Sequence, residues 1–373
     1  MRLETKAIHS GLDVLKESRA VVPPMCPSTV FEHGDKGHFE PGDLNYTRAQ
    51  NPNRAQLEAL ITDLEEGADT ATFSSGVAAA AAVFQALQPG DHIIIPEDVY
   101  HGNRQLVKKL MGPWGLKADY VDMTNLNSIE DAITQDTKMI WIETPSNPLL
   151  QITDIKAVVG LVEGRDILVC VDNTWPSPVN QLPLELGADL SLHSTTKYFG
   201  GHSDILGGAV VAKDKEGIFK KIRDIQITAG AVPSPRDCWL LARSIRTLPY
   251  RMRGHNENAA KVARFLQDHP KVGKVFFPGL ESDPGHKIAR SQMSGFGGMV
   301  SFLVDGGRDD TLSVVNGSTL ILKATSLGGV ESTWEHRRSS EGKDSTTPQN
   351  LIRISVGLEH PDDLIEDLEQ ALG

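Results

Sequence analysis

Short, nearly uninterrupted apolar runs alternate with helix-like segments through the middle of the chain. Three of the runs, DHIIIP (91–96), TKMIWIETP (137–145) and DILVCVDN (166–173), predict buried strands. The same pattern continues in KADYVDM (117–123), ADLSLHS (188–194) and LGGAVVA (206–212). Strands that are apolar on both faces and separated by helices are typical of a parallel sheet covered on both sides. The pattern predicts an α/β fold that binds ligands beyond the carboxyl ends of its strands.

The pattern changes towards both ends of the chain. The first 50 residues are irregular and rich in proline, which indicates an arm that lies on another domain or on a neighbouring subunit. A long helical stretch at 235–269 is interrupted near Pro249, and two more strand-like runs and a final helix follow it. We therefore expect an N-terminal arm (1–50), a large domain (51–245) and a smaller C-terminal α+β domain (246–373).

Composition and charge narrow the possible partners. The 373 residues carry a formal net charge of -12 with no dense basic run, which argues against nucleic acid and anionic membranes. Three widely spaced cysteines do not form a disulfide framework, and the histidines lack metal-site spacing, so we expect no metal. Without an apolar stretch of signal-peptide or transmembrane length, a cytoplasmic protein is expected.

Four candidate groups follow predicted strands, where a sheet of this kind binds its ligand. Ser74-Ser75-Gly76 precede an alanine-rich helix, whose first N–H groups could hold a phosphate, although a simple N-cap is the preferred interpretation when the serines are taken alone. Asp172 ends a strand and is either a ligand-facing carboxylate or a cap for the next turn. Tyr100 could stack on a planar ligand or pack locally. Lys197, in SLHSTTKYFGGHSD, is either a surface lysine or a reactive amine.

Taken together, the four groups are what pyridoxal 5′-phosphate (PLP) requires. The Lys197 amine can form a Schiff base with the cofactor aldehyde, and Asp172 can pair with the protonated ring nitrogen. The hydroxyls beside Lys197 can reach the phosphate. The sequence therefore predicts a PLP site.

The stretch SLHSTTKYFGGHSDILGG resembles the lysine signature of the Cys/Met-metabolism family of fold-type-I PLP enzymes. That family includes cystathionine γ-synthases, γ-lyases and β-lyases and methionine γ-lyases. Further family motifs follow in the expected order over nearly the whole chain, namely TKAIHSG, NYTRAQNPNRAQLE, ETPSNPLL, VDNTW, SLGGVES and IRISVGLE. The resemblance implies a large PLP-binding domain with a mostly parallel sheet, a smaller C-terminal domain, and an amino-acid substrate.

The resemblance also implies a role for individual residues. Lys197 would carry the cofactor and shuttle protons, Asp172 would pair with the ring nitrogen, and Tyr100 would stack on the ring and assist proton transfer. The phosphate site would consist of Ser75, Gly76, Val77, Ser194 and Thr196, together with Tyr46 and Arg48 from the neighbouring subunit. The substrate would meet Asn147, Thr325, Ser326 and Arg353, with Arg353 binding the α-carboxylate. A dimer would be the catalytic unit, commonly paired into a tetramer.

Three departures from the family pattern bear on the substrate. Thr325 stands where synthases and γ-lyases usually have Glu, and HGNR after Tyr100 leaves the role of Arg104 open. The segment 334–342, WEHRRSSEG, replaces a usually apolar stretch. Its His336, Arg337 and Arg338 could contact an anionic group of the substrate, but a solvated loop is the preferred interpretation.

The expected activity is γ-elimination or γ-replacement on a sulfur- or oxygen-substituted amino acid, with cystathionine or an O-acylhomoserine as substrate. The alternatives are cystathionine β-lyase or methionine γ-lyase activity, or action on a non-standard homoserine derivative. A nucleotide-binding oxidoreductase would need a GxGxxG motif after an early strand, which the chain lacks. A catalytically silent scaffold would be expected to have lost Lys197 or Asp172, and both are present.

Overall fold

The structure, a computed structural model, describes residues 1–34, 43–341 and 347–373. The described residues fold around two β-sheets. Part of the predicted arm, 35–42, and the last residue of the 334–342 segment lie outside the described residues.

Seven strands form the larger sheet: β1 (Asp69–Phe73), β2 (His92–Pro96), β3 (Lys117–Val121), β4 (Thr137–Glu143), β5 (Leu168–Asp172), β6 (Leu190–His193) and β7 (Gly208–Ala212). Their order is β1-β7-β6-β5-β4-β2-β3. The neighbours from β6 to β3 pair in parallel, whereas β7 is antiparallel to both β6 and β1. The mostly parallel α/β architecture is confirmed. The expectation that 206–212 continues the parallel pattern is wrong, because no crossover helix separates β6 from β7.

Five strands form the smaller sheet: β8 (Val272–Phe276), β9 (Met299–Val304), β10 (Leu322–Lys323), β11 (Thr333–His336) and β12 (Leu351–Ser355). Their order is β10-β11-β12-β9-β8. The antiparallel register of β11 and β12 places Glu335 directly opposite Arg353. The predicted solvated loop at 334–342 is therefore wrong for the residues described. Glu335 and His336 lie in a strand, and with Arg337 they are buried, because each finds a polar partner inside the protein.

Helices cover both sheets and connect their strands. They are α1 (Leu3–His9), α2 (Pro52–Leu64), α3 (Gly76–Gln85), α4 (His101–Leu106), α5 (Gly112–Trp114), α6 (Leu126–Asp131), α7 (Ile155–Leu161), α8 (Ser177–Asn180), α9 (Ile218–Ala229), α10 (Pro235–Ile245), α11 (Leu248–Asp268), α12 (His286–Gln292), α13 (Arg308–Gly317), α14 (Arg337–Glu341) and α15 (Pro361–Leu372), with a 3₁₀ helix at Leu12–Ser18 and a π-helical turn at Val107–Met111. Within the described residues, no helix combines the length and the apolar character needed to cross a membrane.

The larger sheet is buried on both faces, as its apolar strands predict. Along β4, Trp141 packs on one face against Phe84 of α3, with ring centroids 4.9 Å apart. Ile140 lies on the opposite face in the cluster that includes Val158 of α7. The smaller sheet has a separate core with residues from α11, α13 and α15.

Gly208, the first residue of β7, lies directly beneath the start of α3. A Cβ atom at this position would overlap the backbone oxygen of Ser75 and come within 2.9 Å of the Gly76 Cα. Only a glycine permits this approach. The start of β7 is thus in direct backbone contact with the start of α3.

We predict that Gly208→Ala destabilises the protein by roughly 1–3 kcal/mol, because the methyl group meets backbone rather than a movable side chain. The measurement is the midpoint of thermal or urea unfolding. Gly160→Ala in α7 is the control, since nothing lies within 4 Å of a Cβ there. Because alanine favours the helix over glycine, this variant should raise the free energy of unfolding by about 0.5–1 kcal/mol. Equal midpoints for the two variants would contradict the close approach.

Candidate active site

A cavity of about 400 Å³ opens at the carboxyl ends of β4, β5 and β6, between the two sheets. It is lined by most of the residues that the sequence singled out: Ser75, Gly76, Val77, Tyr100, Asn147, Asp172, Ser194, Thr196, Lys197, Thr325, Ser326 and Arg353. The cavity therefore lies at the edge of the sheet where the sequence predicted a ligand site.

Lys197 is partly buried in this cavity, and its amine has a specific partner. Nζ donates a hydrogen bond to Ser326 Oγ at 2.7 Å. Burial, together with the positive charges of Arg353 and Arg337, lowers the pKa of Lys197 to about 8. Ser326 has a φ of 87°, a strained value for a residue with a side chain. The amine is therefore held in place and loses its proton more readily than an ordinary lysine.

Asp172 and Glu143 are register partners at the ends of the adjacent strands β5 and β4. The Asp172 carboxylate accepts hydrogen bonds from the N–H and the hydroxyl of Thr174, at 3.1 and 2.5 Å. Burial raises the pKa of Asp172. Burial, reinforced by the charge of Asp172, raises the pKa of Glu143 well above its usual value. Among the described residues Asp172 has no ion-pair partner within 4 Å. A cationic ring nitrogen would therefore supply the positively charged partner of this carboxylate.

Sequence analysis missed Glu143, whose strand-end position in WIETP was the available signal. Its carboxylate accepts a hydrogen bond from the backbone N–H of Tyr100 at 2.9 Å, and so fixes the start of α4. The Tyr100 ring lies over Gly102, where a Cβ would overlap it. Tyr100 therefore faces the cavity from the side of α4.

The start of α3 forms the anion-binding part of the cavity. Ser75 is the N-cap, and its Oγ accepts a hydrogen bond from the Ala78 N–H at 3.0 Å, as the simpler interpretation predicted. The first N–H groups of the helix still have no acceptor within it, and two of the residues that carry them, Gly76 and Val77, line the cavity. A Cβ on Gly76 would approach the Ser194 Cβ to 2.7 Å. Capping and anion binding are thus compatible here.

Hydrogen bonds to two other segments hold the turn that carries Lys197. The Ser194 N–H donates to Thr174 Oγ1 at 2.8 Å. Thr196 Oγ1 donates to the Gly207 carbonyl at 3.2 Å and accepts from the Gly207 N–H at 3.1 Å. The small hydroxyl residues before Lys197 therefore hold the turn against β5 and the start of β7.

Arg353 on β12 is buried and has its guanidinium held from two sides. Nη1 donates to Asn147 Oδ1 at 2.8 Å, and Nη2 donates to Glu335 Oε1 at 2.5 Å. Burial lowers the pKa of Arg353 to about 10. Glu335 is a second residue that sequence analysis missed. An arginine fixed in this way is suited to bind a carboxylate in one orientation.

Tyr46 and Arg48 lie on the arm and do not line the cavity of their own chain. Both are exposed; Arg48 Cζ lies 5.6 Å from the centre of the Tyr46 ring, and Nη1 donates to the Ile227 carbonyl at 2.7 Å. Arg104 also faces away from the cavity, since it donates to the Glu97 carbonyl and lies 4.7 Å from the centre of the Tyr120 ring. The structure thus brings together all the predicted site residues except the two on the arm.

These residues fit PLP. The cavity has a helix start for a phosphate, an unpaired strand-end carboxylate for the ring nitrogen, an aromatic ring and a lysine amine of lowered pKa. In the described part of the chain, no group of three or more His, Cys, Asp or Glu side chains is placed to hold a metal ion.

Comparisons with known proteins agree with this site. Residues 4–373 match the model of the family described as Cys/Met metabolism PLP-dependent enzyme. The chain is 46% identical to a cystathionine gamma-synthase of Mycobacterium bovis, over 99% of this chain and 96% of that protein. It is 42% identical to a cystathionine beta-lyase of Lactococcus lactis, over 99% and 98%. The crystal structure of metB from Corynebacterium glutamicum superimposes with a TM-score of 0.96 at 41% identity, covering 100% of this chain and 98% of that one.

We predict that Lys197 in the cofactor-free protein reacts with an acylating reagent with a half-maximal rate near pH 8. The neutral amine is the nucleophile, so reactivity rises as pH rises through the pKa. Labelling of the Lys197 peptide can be followed by mass spectrometry across pH. Arg353→Met should move the midpoint upwards, because it removes a positive charge that disfavours the protonated amine. A wild-type midpoint near the ordinary lysine value of about 10.4 would contradict the prediction.

Proposed function

Since the chain belongs to the family of Cys/Met metabolism PLP-dependent enzymes, we propose that it catalyses γ-elimination or γ-replacement on a sulfur- or oxygen-substituted amino acid. The chain is a PLP-dependent trans-sulfuration enzyme. Cystathionine and the O-acylhomoserines are the proposed substrates. The observation that carries the proposal is the Lys197 amine, which has a pKa of about 8 and lies in one cavity with Asp172 and Arg353.

Bound PLP supplies an electron-accepting ring that stabilises negative charge at the substrate Cα. Asp172 would pair with the ring nitrogen, and Tyr100 would cover one face of the ring. The N–H groups of Gly76 and Val77 would hold the phosphate, with the side chains of Ser75, Ser194 and Thr196 beside them. These assignments are supported by the shared cavity that the residues line.

Lys197 is the proposed proton carrier. Its amine, oriented by Ser326 Oγ, can remove a proton from Cα when neutral and return one when charged. A pKa of about 8 keeps both forms accessible near neutral pH. A leaving group on Cγ also requires proton removal from Cβ, and the long side chain of a lysine can serve both carbons. Tyr100 is proposed to assist this proton transfer.

Arg353 is proposed to bind the substrate α-carboxylate, with Asn147 fixing one side of the guanidinium. This contact would set which bond at Cα faces Lys197, because one fixed end determines the orientation of the rest of the molecule. Thr325 is proposed to face the distal part of the substrate, since it lines the cavity next to Ser326.

A second candidate is β-elimination from cystathionine. It is favoured by the similarity to the Lactococcus lactis protein, whose identity of 42% is close to that of the synthase. The two reactions share the initial removal of the Cα proton and differ in whether a Cβ proton must also leave.

We also propose that the catalytic unit is a dimer and that two such dimers form a tetramer. The exposed Tyr46 and Arg48 would complete the phosphate site of the neighbouring subunit, which agrees with their absence from the cavity of their own chain. The domain boundaries at 50/51 and 245/246 and the cytoplasmic location stay predictions.

We expect Lys197→Ala to abolish the yellow colour of the purified protein, because that colour would come from PLP bound to the lysine amine. Turnover should fall by at least about 10³-fold, because the variant also lacks its proton carrier. Turnover is measured with cystathionine, O-acylhomoserines with and without cysteine, methionine and homocysteine, by release of 2-oxo acid and formation of a new amino acid. Lys213→Ala, an exposed lysine outside the cavity, is the control. Full activity of Lys197→Ala would refute the mechanism, and β-elimination alone would refute the choice of Cγ.

The shared site predicts complementation between inactive subunits. Arg48→Ala and Lys197→Ala chains, each inactive alone, should regain about a quarter of wild-type activity when mixed equally, because half of the dimers hold one intact site. Activity is measured after subunit exchange, with mixed dimers confirmed by native mass spectrometry. Mixed dimers without recovered activity would show that Arg48 does not act across the interface.

A further inference from the structure

The cavity contains a second guanidinium for which the proposed chemistry has no use. Arg337, the first residue of α14, is 6% exposed and lines the cavity together with Arg353. The lysine and arginine side chains that line the cavity, within the described residues, are Lys197, Arg337 and Arg353. The first and the last have proposed roles in proton transfer and in binding the α-carboxylate. Arg337 alone is left without one.

Two carboxylates fix the Arg337 side chain and leave its Nη2 atom available. Nε donates to Glu341 Oε1 and Nη1 donates to Glu335 Oε1, both at 2.8 Å. Glu335 Oε1 also accepts from Arg353 Nη2 at 2.5 Å, so one oxygen joins the two guanidiniums. No hydrogen bond links Arg337 Nη2 to any described residue. The two N–H groups of Nη2 are therefore left to donate to a ligand.

The neighbouring side chains make this arrangement rigid. Ser340 Oγ donates to Glu335 Oε2 at 2.6 Å, and Thr347 Oγ1 donates to Glu341 Oε2 at the same distance. Arg338, the next residue after Arg337, donates to the Thr347 carbonyl and does not line the cavity. The helix therefore presents one arginine to the cavity and directs the other away from it.

A purely structural role would not require Arg337 to face the cavity. Its charge acts on the site, since it lowers the pKa of both Lys197 and Arg353. Glu335 and Glu341 compensate for the buried charge of Arg337 without accepting a hydrogen bond from its Nη2 atom. The ligand that best fits the N–H groups of Nη2 is an oxyanion such as a carboxylate, which forms charge-assisted hydrogen bonds with a guanidinium.

We propose that Arg337 binds a carboxylate at the far end of the substrate side chain, and so selects amino acids that carry a second carboxylate. The proposal rests on the proposed function, in which Arg353 takes the α-carboxylate. Two substrate types share this chemistry: cystathionine, whose distal half is an amino acid, and a homoserine ester of a dicarboxylic acid. Glu335 holds the two guanidiniums in a fixed relation, and Arg337 is the specificity-determining residue.

The test compares two ligands that differ only at the far end of the side chain. L-2-Aminoadipate ends in a carboxylate and L-norleucine in a methyl group, and neither has a leaving group on Cγ. Their dissociation constants for the PLP-loaded enzyme are measured by isothermal titration calorimetry. Arg337→Met should weaken aminoadipate binding by about 10- to 100-fold, the range for a lost charge-assisted hydrogen bond. Norleucine binding should change by less than about 3-fold.

Two further variants separate binding from folding. Arg338→Met is the matched control and should bind both ligands like the wild type. Arg337→Lys keeps the charge but not the planar fork, so it should retain part of the preference for aminoadipate. Thermal unfolding of each variant shows that it is folded. Equal weakening of both ligands by Arg337→Met in folded protein, or no weakening of aminoadipate, would overturn the proposal.

Turnover identifies the source of the carboxylate. In Arg337→Met, kcat/KM should fall for cystathionine, for O-succinylhomoserine or for both, and should hold for O-acetylhomoserine, which has no distal carboxylate. An equal fall for all three would overturn the proposal. Because the calorimetric comparison needs no turnover, wild-type enzyme that prefers aminoadipate through Arg337 but acts on none of these substrates would refute the proposed function and leave the distal carboxylate site intact.

Discussion

The site depends on a close approach of backbone segments that only glycine allows. The start of α3 lies against the turn that carries Lys197 at Gly76 and against β7 at Gly208. This contact brings a helix N-terminus next to a strand-end turn, and so a phosphate-binding element next to a reactive amine. Elsewhere the larger sheet is a conventional, doubly covered core, and its main task is to hold those two elements together.

Charges are arranged differently on the two sides of the cavity. The larger sheet contributes Asp172 and Glu143, two neighbouring carboxyl groups for which burial raises the pKa. The smaller sheet contributes Arg353, joined through Glu335 to Arg337. A ligand with a cationic ring on one side and carboxylates on the other is complementary to both. This division explains why the cavity lies between the sheets rather than within either one.

The features that could be predicted from sequence are those encoded locally. Apolar runs identify most of the strands, and the residue after each run identifies the ligand edge, which is how Asp172 and Lys197 were found. β1, DTATF, was missed because its threonines weaken the apolar signal. The reversal of β7 depends on the connection before it and not on its own residues. The pairing of Glu335 with Arg353 depends on the register of β11 and β12, which no local pattern specifies. For the same reason a charged segment at 334–341 suggested a solvated loop, although its charges neutralise one another inside the protein.

The hydrogen bond between Lys197 and Ser326 spans the two sides of the cavity, as does the repulsion between Lys197 and Arg353. An anion that binds to Arg353 offsets that repulsion, and the proton affinity of Lys197 then rises. Thermodynamic reciprocity requires that a protonated Lys197 tightens the binding of the same anion by an equal factor. Carboxylate binding and proton uptake are therefore coupled equilibria in this cavity. The basicity of the lysine changes according to whether an amino acid is present.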